Sequence, residues 1–312
     1  MVRLPVAVAS AVLAILLTNS RSALAQNYSA HDYVRKAFTC ERAGDKVGAR
    51  ENFAKAIASQ NSPLVAYTDR AILRFDSGDR QGAFDDINHA IEICSIDSKA
   101  LRVRAHFKAQ SGDREGALND YNESLKWDSK NSSTYMGRGI LYLTMDNPRA
   151  AYDDFERALT ANPKNLMARF HRMCLTDNRA QAVADYQTIV GSEPRDAEDH
   201  VIIGNAYVQF EESDKGAHEF SEAILLKPHY AQAYYNRAVI KEQKGDKPGA
   251  LADYTKAIES NPSYVKAYFN RGLLKFSLDD NDGGKSDVQR AYELDPELAK
   301  RAQEQPSRVV TS

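Results

Sequence analysis

Asp85-Asp86 and Asp153-Asp154 are adjacent carboxylate pairs, the side-chain types that general acid–base chemistry uses. Their second members belong to a periodic series: Asp86, Asp120, Asp154, Asp185, Glu219, Asp253 and Asp287, with Asn52 in the first copy. A basic residue recurs in step with it at Lys36, Arg70, Arg104, Arg138, Arg172, Arg237 and Arg271, with Ile203 in one copy. Periodic acids opposite periodic bases predict a ladder of ion pairs holding a scaffold; the alternative is an arginine-lined groove for anions. The ladder is favoured, because a buried charge without a partner is costly. The other chemical motifs are incomplete. His218-Glu219 has no second histidine at the metalloprotease spacing, and Gly137-Arg138-Gly139 has Tyr142 where a dinucleotide loop needs its third glycine. There is no Gly-x-Ser-x-Gly elbow and no Cys-x-x-Cys pair. The sequence therefore predicts no catalytic residue, no metal site and no cofactor. The seven histidines fall at unrelated repeat positions and read as surface or core residues. Cys40, Cys94 and Cys174 read as small buried apolar residues; Cys40–Cys94 is the one bridge to consider, and it would have to join helices of different repeats.

The elements that carry these residues follow from another series. Ala49, Ala83, Ala117, Ala151, Ala182, Gly216, Ala250 and Gly284 are spaced 34, 34, 34, 31, 34, 34 and 34 residues apart. Four residues beyond each lies a filler (Phe53, Ile87, Tyr121, Phe155, Tyr186, Phe220, Tyr254, Val288), and three further on comes a residue that is alanine in six copies. Offsets of four and three share one helix face, where small residues let two helices cross closely. Each copy also starts with a second helical pattern, such as Tyr67-x3-Ala71, Tyr135-x3-Gly139, His200-x3-Gly204, Tyr234-x3-Ala238 and Tyr268-x3-Gly272. Between the two helices stand Gly44-Asp45, Gly78-Asp79, Gly112-Asp113 and Gly245-Asp246, a left-handed helix end followed by a helix cap. Pro163, Pro194, Pro228, Pro262 and Pro296 mark the corners between copies.

This pattern resembles the tetratricopeptide repeat family over residues 30–296, in units near 30–63, 64–97, 98–131, 132–165, 166–196, 197–230, 231–264 and 265–296. The resemblance implies an all-α fold, a right-handed α-solenoid of about eight two-helix units. A polar helix over 297–305 is expected to cap it, before a disordered tail at 306–312. The fifth unit lacks three residues between Met173 and Ala182, so its first helix should end early, near Asp177-Asn178, and local curvature should change there, as a fixed bend or a hinge.

The resemblance also places the first helix of each unit on the concave side, where residues that vary between units would meet a partner. Asn205, Tyr235, Asn236, Lys266, Phe269 and Asn270 are the candidate peptide-binding residues. Amides hold both donors and acceptors of an extended backbone, and aromatics grip side chains at low entropic cost. Asn205, Asn236 and Lys266 match three of the five positions of the carboxylate clamp of chaperone-adaptor repeats; Val201 and Asn270 stand where that clamp carries lysine and arginine.

The first 25 residues differ in kind. Arg3 precedes an apolar run from Val6 to Leu17, and Ala23-Leu24-Ala25 offers a signal-peptidase site before Gln26. The run is too short to span a bilayer, so a cleaved leader and a periplasmic or secreted product are expected, with no membrane span afterwards. Removing Arg3 and Arg21 makes the formal net charge of −2 more negative by two, which argues against a nucleic-acid partner. The function expected from the sequence is an exported scaffold or adaptor for a protein or peptide. The alternative is a component of a cell-envelope or polysaccharide-export assembly, and an enzyme ranks third.

Overall fold

A computed structural model describes residues 30–58 and 63–304. The expected leader with its cleavage site and the tail at 306–312 lie outside these residues. All seventeen elements among the described residues are α-helices: α1 Ala30–Arg42, α2 Lys46–Ala58, α3 Pro63–Asp76, α4 Arg80–Ile93, α5 Ser98–Gln110, α6 Arg114–Trp127, α7 Ser132–Thr144, α8 Pro148–Ala161, α9 Leu166–Leu175, α10 Arg179–Val190, α11 Ala197–Gln209, α12 Ser213–Leu226, α13 Ala231–Gln243, α14 Lys247–Ser260, α15 Val265–Phe276, α16 Asn281–Leu294 and α17 Pro296–Glu304. The architecture is an α-solenoid of helix hairpins, packed as α1·α2, α3·α4, α5·α6, α9·α10, α11·α12, α13·α14 and α15·α16, with α17 against α16. Residues up to Asp154 form one compact unit and those from Phe155 a second. None of the described helices is long and apolar enough to cross a membrane.

The hairpin turns share one solution, except in the shortened fifth repeat, where α9 ends on the extended residue Thr176. Gly44, Gly78, Gly112 and Gly245 take positive φ angles of 78 to 89°. The next residue's N–H then donates back to a carbonyl of the last helical turn, as Asp79 does to Arg74 at 2.9 Å and Asp246 to Lys241 at 2.9 Å. That aspartate also starts the following helix: Asp79, Asp113, Asp246 and Asp280 each accept from a backbone N–H three residues on. Three units lack the glycine and still adopt the same turn, with Asp146, Glu211 and Asp279 at φ of 54, 64 and 63°. A side chain with a Cβ is disfavoured there. Glu211 gains least, since glutamate lacks the short side chain that eases this conformation for aspartate. Glu211→Gly is expected to raise stability by about 0.5–1 kcal/mol; an unchanged or lower urea midpoint would show that the turn carries no strain.

The hairpin cores are built from the predicted face. Ala49, Phe53 and Ala56 are fully buried, as are Ala83, Ile87 and Ala90, and in the second unit Ala250, Tyr254 and Ala257. Phe75 and Phe107, from successive hairpins, stack at 4.2 Å and 1° between planes. The shortened repeat is accommodated locally: α9 has ten residues where α11 and α13 have thirteen, and Asn178 caps α10.

Cys40, Cys94 and Cys174 are free thiols. The reading of all three as buried fails at Cys174, which is exposed, and holds only in part at Cys40 and Cys94, which are half-buried. Nothing in helical periodicity distinguishes a thiol on the outer face from one at the edge of the core.

Candidate protein-binding face

The first helix of each hairpin supplies the candidate face, and the periodic charges fix how that helix lies. In the first unit Arg70, Arg104 and Arg138 each make a two-bond pair with Asp86, Asp120 and Asp154, at 2.6 to 2.8 Å. In the second unit Arg172, Arg237 and Arg271 do the same with Asp185, Asp253 and Asp287. The aspartates are buried and the guanidinium groups nearly so. The ladder reading is the correct one.

Five of these arginines also do more than the sequence reading assigned to them. Their free arms reach back to the preceding helix pair: Arg104 to Asn88, Arg138 to Asn122, Arg172 to Glu156, Arg237 to Ser221 and Arg271 to Thr255. One side chain thus joins three helices of two hairpins. The tyrosine one turn earlier lies beside the guanidinium, 5.6 Å from ring centre to Cζ for Tyr67–Arg70 and 5.7 Å for Tyr135–Arg138, Tyr234–Arg237 and Tyr268–Arg271. A second cation joins several of the acids: Arg74 on Asp86, Lys108 on Asp120, Arg169 on Asp185, Lys241 on Asp253 and Lys275 on Asp287. In the fifth repeat the three-residue loss falls between Arg172 and Asp185, yet the pair closes at 2.5 Å.

The sixth repeat corrects the reading of the histidines. Ile203 replaces the arginine, and His200 takes over its acid: Nδ1 lies 2.7 Å from Glu219 Oε2, both side chains nearly buried. His200 occupies the position that is Tyr67, Tyr135, Tyr234 and Tyr268 in other repeats, and glutamate, one carbon longer than aspartate, spans to it.

Asp287 gives the ladder a pH dependence. Burial pushes its carboxyl up, but Arg271 and Lys275 outweigh burial and hold it below the ordinary carboxylate value. A carboxylate depressed in the folded state contributes stability above the unfolded value of about 3.9, and that contribution is lost as pH falls through the lower folded value. Urea midpoints are therefore expected to drop below about pH 4, and Asp287→Asn should be weaker at pH 7 with a shallower acid fall. An identical acid profile in the variant would remove Asp287 from the account.

In the second unit α11, α13 and α15 carry the six predicted binding residues, and the structure links four of them in two pairs. Asn236 Nδ2 donates to Asn205 Oδ1 at 2.8 Å, and Asn270 Nδ2 donates to the Tyr235 hydroxyl at 3.1 Å. All four are half-buried. Asn205 keeps its two N–H donors and Asn236 its carbonyl for other use. Tyr235 packs against Tyr254 and Tyr264, with ring centres 5.8 and 5.2 Å apart, so its ring is part of the core edge as well as of the face. Burial raises its phenol pKa. The Tyr254 hydroxyl donates to Glu242 at 2.7 Å and is also bonded by Asn270. Lys266 is exposed, and Phe269 lies 6.4 Å from Tyr292 on α16. Phe276, at the end of α15, lies over Gly284: a Cβ there would come within 2.8 Å of its ring.

The tetratricopeptide repeat family model matches residues 132–165, 231–264 and 265–298. No curated protein matches by sequence. Among solved structures, a tetratricopeptide repeat protein from Parabacteroides merdae ATCC 43184 is 20% identical, covers 84% of this chain and 98% of its own, and superposes with a TM-score of 0.53. Yeast Tom70 is 20% identical over 86% of this chain and 59% of its own, with a TM-score of 0.56. The Cut9 and Hcn1 hetero-tetramer of APC/C shows 14% identity over 80% of this chain and 50% of the matched chain, with a TM-score of 0.62. At these identities the likeness is one of fold. The chain thus carries tetratricopeptide repeats at 132–165, 231–264 and 265–298, within a helix-hairpin solenoid of the same fold.

Proposed function

We propose that the protein is an exported, non-catalytic scaffold that binds an extended peptide of a partner protein across α11, α13 and α15. The supporting observation is the pair Asn236–Asn205, which bridges two successive first helices while leaving free donors and an acceptor facing outward from a rigid frame. Such groups can pair with the alternating N–H and C=O of a peptide, with Tyr235 and Phe269 as flanking apolar contacts. The frame supports the reading too: Arg237 and Arg271 hold these helices against their neighbours, so little ordering entropy remains to be lost on binding. The cleavable leader read at residues 1–25 carries the export part of the proposal.

A peptide library selected on the immobilised protein tests this. Asn236→Ala with Asn270→Ala is expected to weaken a selected peptide by about 10-fold or more, with unfolding midpoints near the parent's. Unchanged binding in the double variant would place the peptide elsewhere. Export is tested by sequencing the N-terminus of the native protein, where Gln26 is the expected first residue.

A further inference from the structure

Among the described residues Arg102, in the first unit, is the half-buried guanidinium group without an ion-pair partner. It lies on α5, half-buried, and its Nε is fully buried with no hydrogen-bond partner. It makes no hydrogen bond or ion pair with any described residue, and no carboxylate is among the groups acting on it; only the phenol of Tyr121 favours its charge. Burial pulls its pKa below the ordinary arginine value. His106, one turn along, is itself no anion: burial keeps that imidazole below its usual pKa, the Asp76 carboxylate offsets this in part, and Arg102 lowers it further. The Tyr121 hydroxyl is a second donor with no acceptor among the described residues. It fits only because residue 137 is glycine: a Cβ there would lie 2.8 Å from the hydroxyl oxygen. Gly137 is the glycine of Gly137-Arg138-Gly139 that neither a nucleotide loop nor helix crossing explains.

The seventh repeat shows what is missing. Tyr254 there occupies the repeat position of Tyr121, Tyr235 that of Arg102, Asn270 that of Gly137 and Glu242 that of Ala109. Tyr254 is satisfied by the carboxylate of Glu242 at 2.7 Å and by Asn270. In the third repeat the carboxylate has become a methyl group, the amide has become a hydrogen, and a guanidinium has been added. Two donors, one of them a guanidinium, remain where the sister site holds an acid.

We propose that Arg102 and Tyr121 form a binding site for a side-chain carboxylate of an acidic peptide segment, distinct from the amide-lined face of the second unit. The ligand oxygen takes the place that Glu242 fills in the seventh repeat: it accepts from the Tyr121 hydroxyl and pairs with the Arg102 guanidinium, a charge-assisted contact. A carboxylate is favoured over a phosphate because the sister site already accepts one in this geometry.

The test is isothermal titration of the full chain with acetylated, amidated tetraglutamate, which has no terminal charges. Binding is expected, with none for tetraglutamine. Arg102→Gln should weaken it about 10-fold or more while leaving the unfolding midpoint unchanged or raised, since no intramolecular pair is lost. Ala109→Glu, which rebuilds the internal acid of the seventh repeat, should fold and also lose the peptide. Equal affinity of either variant and the parent overturns the proposal, and so does unfolding of Arg102→Gln. Arg102-dependent binding of oligodeoxythymidylate in place of tetraglutamate overturns it in favour of a phosphate ligand. Loss of tetraglutamate binding on Asn236→Ala with Asn270→Ala would merge the two sites and overturn it likewise.

Discussion

Arg138→Ala is expected to lower unfolding stability by about 3–5 kcal/mol and to leave peptide binding by the second unit largely unchanged. The size follows from what the side chain joins. Two of its bonds go to Asp154, which is 1% exposed, at 2.7 and 2.8 Å, and a third goes to Asn122 of the preceding hairpin at 2.6 Å. Tyr135 and Tyr142 lie 5.7 and 5.8 Å from its Cζ. Burial lowers the pKa of this guanidinium, and Asp154 more than restores it, so the charged form is the one the fold selects. Truncation leaves the carboxylate buried without its two-bond partner, which costs more than the pair itself contributes. The same asymmetry supplies a control: Arg138→Met with Asp154→Leu should recover much of the loss, because no charge is left stranded. In a solenoid each hairpin contacts only its neighbours, so the loss should be local. Hydrogen exchange should speed in α6, α7 and α8 before it does in α3 and α4. Retained stability in Arg138→Ala would make the ladder ornamental, and a stable variant unable to bind peptide would revive the anion groove.

The ladder also shows what could be read in this sequence and what could not. Arg138 and Asp154 announce themselves because residue type is repeated at a fixed interval, and only a constant geometric demand repeats both. Gly78-Asp79 is legible for the same reason: one left-handed residue and one cap are needed at each turn. Asn88, Asn122, Glu156, Ser221 and Thr255 share a position and a role but not a chemical type, since any acceptor serves an arginine N–H. Their role became visible only with the arginine arm in place. His200–Glu219 was within reach: the one repeat without a basic residue at the arginine position also changes aspartate to glutamate and tyrosine to histidine, a triple exchange that implies a replacement pair. The candidate binding residues are legible as variable positions on one helix face. Their mutual bonds depend on rotamers, which spacing does not determine, and Tyr235 proved to be shared between face and core.

The small-residue series makes a second strong demand, and Gly204→Val is expected to cost about 3 kcal/mol. At this crossing both helices carry glycine, Gly204 on α11 and Gly216 on α12, where the next hairpin has Ala238 and Ala250. A Cβ on Gly204 would lie 2.6 Å from the Phe220 ring, and one on Gly216 would lie 2.9 Å from the Gly204 carbonyl. Phe220 is 1% exposed and packed among buried neighbours, so it cannot swing away. Alanine at 204 gains about 1 kcal/mol of helix propensity, yet the contact with the ring is worse than any real Cβ tolerates. Gly204→Ala should therefore also destabilise, although alanine is native one hairpin later. The clash has a single named partner, which makes it separable. Phe220→Ala alone should cost about 3–5 kcal/mol by leaving a cavity. Combined with Gly204→Val it should cost less than the sum by about 1–3 kcal/mol, because the new side chain fills the space that the ring vacates. Urea unfolding of the four proteins measures the coupling. Strict additivity would mean that the helices yield as bodies and that Phe220 does not set their distance of approach. Coupling of the expected sign would show that glycine here, unlike alanine in the next hairpin, is fixed by one ring in the core.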